Sequence, residues 1–187
     1  MKTKQNITTK QLVLAALFCA LTAIGAFIQI PVPFMDYFTL QFLFVLLAGM
    51  LLGGKLGGIS VALYVFIGLI GFPIFAAGGG IQYVLRPSFG YLIGFIVTAF
   101  VVGILCDKKE NPTFKNYLAF AFIGMLITYG IGFGYKYLML NFYVKEATGL
   151  WAIVAASLPL DIPGDAVLCL LASATANRLR GVLKLER

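Results

Sequence analysis

The chain has 187 residues, of which 61% are hydrophobic and 11% charged, and its formal net charge is +7. Soluble domains are nearer about 45–50% apolar and about 25% charged, so a water-soluble fold of this composition would leave large apolar patches bare and aggregate. An integral membrane protein is the class that remains. Histidine is absent, which removes Ser-His-Asp triads, Cys-His dyads and most zinc sites. Cys19, Cys106 and Cys169 lie in or at the ends of apolar segments without CxxC spacing, and read as inert buried thiols. Neither a metal nor a cofactor is expected.

Apolar runs broken at charges, prolines and glycine clusters predict an all-α membrane protein, one transmembrane substrate-binding domain over residues 1–187. Six spans are expected, at approximately 11–30, 38–54, 56–75, 87–106, 115–141 and 151–179. The first follows Lys2, Lys4 and Lys10, like a signal peptide, but its roughly 20 residues exceed an h-region of about 7–15, so it is read as a retained helix. Within it Ala16 and Ala20 form a small-xxx-small pair, suited either to packing inside this chain or to a partner membrane subunit. The second span is short unless it begins near Met35.

Between spans two and three, "GMLLGGKL" has the Gly-x4-Gly-Lys spacing of a phosphate loop. Leu56 stands where magnesium binding needs Ser or Thr, so a tight turn between helices is expected. Any ATP-driven work then falls to another chain. Span four is predicted to start at Pro87, since proline suits the first helical position. Arg86 beside such a helix N-terminus makes a carboxylate site; the alternative is an arginine that reaches the lipid headgroups. Span six is interrupted by Pro159, Pro163 and Gly164, which predicts a short helix from Trp151 and a final one from about Pro163. Irregular backbone at membrane depth survives only where protein or a cavity surrounds it.

With a cytoplasmic N-terminus, six spans bring the C-terminus to the cytoplasm as well. Of the 14 Lys and Arg residues, all but Arg86, Lys136 and Lys145 then face the cytoplasm, a clear positive-inside bias. The positive charge is thus topological, and no nucleic-acid surface is expected. Asp36, Glu146, Asp161 and Asp165 fall on the outer half, with the loose stretches "PVPFMDY" and "FPIFAAGGGIQYVLRPS". Irregular outer-face loops are therefore expected to form the ligand pocket.

"LPLDIPGDAVLCLL" keeps two carboxylates, four apart, in an apolar run. A charge at the centre of a membrane helix costs about 2.5–3.5 kcal/mol on insertion scales and usually marks function. Asp161 and Asp165 share a face if the segment is helical, although Asp161 also suits an N-cap. Asp165, past the Pro-Gly pair, is the stronger ligand candidate. Its carboxylate accepts hydrogen bonds from ligand N–H groups, with Gln82 and Asn141 as further donors and acceptors.

"IQIPVPF", "TLQFLFVLLAGMLLGGKLG", "GLIGFPIFAAGGG", "RPSFGYLIGF" and "LDIPGDAVL", in that order, resemble the BioY family. These are the biotin-specific substrate-binding subunits of energy-coupling factor (ECF) vitamin transporters. The resemblance runs from about residue 16 to 175. It implies a six-helix protein that binds biotin near the outer face of the cell membrane, beside a transmembrane coupling subunit and two cytosolic ATPases. Ala16 and Ala20 match the coupling-subunit contact of such proteins. Leu168 stands where the family pattern has lysine, and Arg86 where it tends to have glycine. Arg86 is accordingly assigned to the biotin carboxylate, and Asp165, Asp161 and Asn141 to the ureido ring. Tyr83, Tyr91 and Trp151 are assigned to the apolar wall. The competing class is a proton-coupled secondary transporter of a small carboxylate-bearing solute, with Asp161 and Asp165 as relay. An enzyme is not expected, because no nucleophile-base pair is present.

Overall fold

The computed structural model describes residues 8–31, 37–157 and 161–183. Helix α1 (Thr9–Phe27) opens on a capping box: the Gln11 amide N–H donates to Thr8 Oγ1 at 3.3 Å, and the Thr8 N–H to Gln11 Oε1 at 2.9 Å. A small antiparallel hairpin follows, β1 (Gln29–Pro31) with β2 (Tyr37–Thr39), in the register Gln29–Thr39, Ile30–Phe38 and Pro31–Tyr37. The sequence predicts no strands; the chain is all-helical as expected apart from this one short hairpin among the described residues. Helices α2 (Gln41–Leu52) and α3 (Gly54–Leu69) come next. A 3-10 turn (Ile81–Leu85) leads to α4 (Phe89–Asp107). Helix α5 (Phe114–Leu138) runs on into a π-helical segment (Met139–Val144). The short α6 (Leu150–Ser157) and the long α7 (Asp161–Leu183) complete the order.

The "GMLLGGKL" stretch is a one-residue break between α2 and α3. Gly53 sits at φ +82°, a left-handed conformation that glycine adopts without strain. A Cβ there would lie 2.6 Å from Asp107 Oδ1. Asp107, at the end of α4, accepts from the Gly54 N–H at 2.8 Å and so satisfies one of the free donors at the start of α3. A carboxylate thus occupies the place a phosphate would take.

Helix α2 is the centre of the bundle. It packs against α1, α3, α4 and α7, and Phe42, Val45, Leu46, Ala48 and Met50 are buried. Helices α4 and α5 lie close because small residues alternate along their seam: a Cβ on Gly94 would meet the Thr128 backbone at 3.0 Å, and one on Gly124 the Thr98 Cγ2 at 2.7 Å. Several polar side chains inside the bundle bridge helices. Ser60 Oγ donates to the Ala15 carbonyl at 2.6 Å, joining α3 to α1, and Thr98 Oγ1 donates to the Gly124 carbonyl at 2.9 Å. Cys19, Cys106 and Cys169 are buried and form no disulfide among the described residues. Outside, the surface is apolar, with Leu126 on α5 at 71% exposure and Phe66 on α3 at 59%. Lipid is the solvent such a surface fits.

By length and composition α1, α4 and α5 with its extension each suffice to cross a membrane, and the bent pair α6–α7 makes up to four. Helices α2 and α3 are shorter. Twelve residues in α2 rise only about 18 Å at 1.5 Å per residue, against a hydrocarbon core of about 30 Å. Two expected boundaries also move. Regular α4 starts at Phe89, not Pro87, because Arg86 N–H bonds the Tyr83 carbonyl and Phe89 N–H the Arg86 carbonyl, each at 3.0 Å. These tight turns carry the chain past the proline. The final helix starts at Asp161, two residues before Pro163, which sits in its first turn, where the missing N–H costs nothing.

Candidate functional site

One end of the bundle, opposite the Gly53–Asp107 turn, holds a cavity with about 800 Å³ of atom-free space, part of it open to solvent. The hairpin strand β2 covers one side with Tyr37, Phe38 and Thr39, and the first turn of α2 adds Gln41 and Phe42. Ala76 and Tyr83 come from the α3–α4 connection, and Ser88, Tyr91, Leu92 and Phe95 from the start of α4. Helix α5 contributes Thr128, Tyr129 and Lys136; helix α7 contributes Asp161 and Asp165.

The charges are separated along the walls. Tyr129 OH donates to Asp165 Oδ2 at 2.8 Å, a charge-assisted bond that holds the carboxylate in place. Asp161 is one helical turn away on the same face of α7. Lys136 lies seven residues beyond Tyr129 on α5, a rise of about 10.5 Å. The cavity therefore has an acceptor-rich region at Asp165 and Tyr129 and a cation about two turns of α5 away. Between them the wall is aromatic. Tyr91 stands edge-on to Tyr129, ring centroids 6.1 Å apart, and Phe42 and Phe95 are tilted at 6.1 Å. Gly164 makes room for the hairpin: a Cβ there would sit 2.6 Å from the Phe38 ring. The Ser88 hydroxyl is buried at the cavity wall and bonds no protein atom among the described residues.

Of the residues singled out in the sequence, the structure brings Asp161, Asp165, Tyr83 and Tyr91 together at this cavity. Arg86, Gln82, Asn141 and Trp151 do not line it. Arg86 is exposed, its guanidinium 5.4 Å from the centre of the Tyr83 ring. Gln82 Nε2 donates to the Gly79 carbonyl at 3.1 Å. Asn141 spends its amide on the chain, donating to the Tyr137 and Thr148 carbonyls at 3.0 and 2.9 Å and accepting from the Thr148 N–H at 3.2 Å. Trp151 is 83% exposed. Leu168, where a lysine stands in the family pattern, is buried in the core one turn past Asp165. Ala16 and Ala20 lie on the exposed face of α1, not in an internal seam. Tyr129, Gln41, Ser88 and Lys136 were not singled out for the site; Lys136 was read only as a topological charge.

The bundle and its end-on cavity define a membrane substrate-binding protein. A solved structure described as the S-component for biotin from an ECF-type ABC transporter superposes with a TM-score of 0.76 at 28% identity, covering 97% of this chain and 95% of that one. The BioY family model matches residues 1–185, and the chain belongs to that family. A probable biotin transporter BioY of Lysinibacillus sphaericus is 43% identical over 180 residues, covering 96% of this chain and 91% of the relative. The biotin transporter BioY of Thermotoga maritima is 45% identical over 141 residues, covering 73% and 78%. The relatives bear the names of transporters, and this chain is accordingly a multi-pass membrane protein of a transporter family and not an enzyme.

Proposed function

We propose that this chain captures biotin at the outer face of the cell membrane and is the substrate-binding subunit of an ATP-driven ECF importer. The observation that carries the reading is the charge order of the cavity. Biotin has a carboxylate on a flexible apolar tail at one end and a neutral cyclic urea at the other. Asp165, held by Tyr129, accepts from the ureido N–H groups, and Asp161 supports it one turn away. Lys136, and not Arg86, takes the carboxylate, since Lys136 lines the cavity and Arg86 does not. Tyr83 and Tyr91 and the Phe42–Phe95 pair wall the thiophane ring and tail.

Six crossings are assigned: α1, α2, α3, α4, α5 and the broken pair α6–α7, with both termini cytoplasmic. The cavity then opens outward and the lysines near the Gly53–Asp107 turn face inward, as the positive-inside rule requires. The exposed alanines of α1 offer a close-approach surface for a transmembrane coupling subunit, and two cytosolic ATPases supply the energy. No resident cofactor or metal is assigned; biotin is cargo. Mass spectrometry of denatured material, after purification from cells grown with biotin, tests the reading. Biotin released in proportion to protein is the expected result; protein that is folded, free of biotin and unable to take it up overturns it.

A further inference from the structure

Behind the cavity wall, Tyr64 of α3 is fully buried and does not line the cavity. Its hydroxyl is 3.1 Å from the Ile74 carbonyl oxygen and 2.6 Å from Nε2 of Gln41. A carbonyl oxygen can only accept, so the single phenolic proton goes to Ile74, and the phenolic oxygen is left as an acceptor. Gln41 must then turn its NH2 end toward Tyr64. From the other side Thr39 Oγ1 donates to Gln41 Oε1 at 3.1 Å in that orientation; a hydroxyl accepts as readily as it donates, so Tyr64 and not Thr39 decides which way the amide turns.

Gln41 is 4% exposed and lines the cavity. One of its two amide protons is committed to Tyr64 and one carbonyl lone pair to Thr39. One N–H and one lone pair remain, a donor beside an acceptor. That edge is the complement of an N–H beside a C=O in a cyclic urea. The anchor is itself held firmly. Phe75, 1% exposed, stands edge-on to Tyr64 at 5.4 Å and 79° and packs on Tyr83 at 4.6 Å. Its ring lies over Gly68, where a Cβ would overlap it.

We propose that Tyr64 is a positioning residue: it fixes which end of the Gln41 amide donates, and so sets the order of donor and acceptor that the cavity presents to the ligand's ureido edge. The inference rests on the biotin reading above. Tyr64→Phe removes one hydroxyl and keeps the ring against Phe75. Isothermal titration with biotin should show the dissociation constant raised at least about tenfold, with Gln41→Leu giving a similar loss. In the double variant the losses should not add: it should bind within about twofold of Gln41→Leu alone, because Tyr64 acts through Gln41.

A packing role for Tyr64 would instead give losses that multiply. Unchanged binding in Tyr64→Phe, or additive losses in the double variant, overturns the proposal. Where Tyr64→Phe does not fold, by thermal melting of the ligand-free protein, the same cycle is run with Thr39→Val, which frees the amide from its other side and is read by the same criterion. A wild-type protein that does not bind biotin overturns the functional reading, and this inference with it; a wild type that binds while the cycle adds overturns the inference alone.

Discussion

Asp165 is the residue on which the site turns. A carboxylate in an apolar helix is retained against a cost, and here one oxygen is tied to Tyr129 at 2.8 Å while the group still lines the cavity. Asp165→Asn is expected to weaken biotin by at least about 1.5 kcal/mol, the low end for a hydrogen bond to a charge, measured by titration of the solubilised protein. Lys136→Met should weaken biotin far more than it weakens an uncharged biotin amide, whereas Arg86→Ala should change neither by more than about twofold, as expected for an exposed surface charge. Equal losses for acid and amide in Lys136→Met would remove it from the carboxylate. Asp161 and Asp165 were legible in the sequence because charge in a hydrophobic run has few structural explanations. Lys136 and Tyr129 were not, because α5 is aromatic and apolar on several faces and no period shows which one meets the cavity. Arg86 does not line the cavity; its assignment rested on a helix starting at Pro87, and tight turns occupy that stretch instead.

At the scale of elements, glycine pairs and carboxylates decide where helices break. The α2–α3 turn was readable from "LLGGKLGG", since consecutive glycines end helices and the missing Ser or Thr removed the phosphate-loop alternative. Its capping by Asp107 was not readable, as 53 positions separate the partners. Asp107→Ala is expected to lower stability by about 0.5–2 kcal/mol, the usual range for a lost helix cap, and to leave biotin affinity unchanged, because the cap is at the opposite end from the cavity. Thermal melting with and without biotin separates the two effects. The β1–β2 hairpin escaped the sequence reading because strands of three residues are too short to show alternation. It nonetheless covers the cavity, and Gly164 is where α7 admits it. Gly164→Val should push Phe38 off α7 and raise the biotin dissociation rate several-fold with a smaller change in the association rate, as most interface changes do. An unchanged dissociation rate would mean the hairpin does not retain the ligand.

For the whole molecule, the two ends carry different tasks. One end of the bundle has the cavity; the exposed face of α1 has Ala16 and Ala20, both without bulk. Replacing both with Trp is expected to leave biotin binding intact and to abolish co-purification with the coupling subunit and ATPases, since the added side chains hold two helix backbones apart. Loss of biotin binding with the complex preserved would place that face inside this chain's own fold. The most direct test of the account is titration of the purified wild-type protein, in detergent or nanodiscs and without partners, against biotin. Capture by this chain alone requires one biotin per chain with a dissociation constant well below about 1 μM, or about −8.2 kcal/mol. Saturable binding at that strength is the expected result. A folded protein that shows no heat with biotin, after any resident ligand has been stripped, would contradict it.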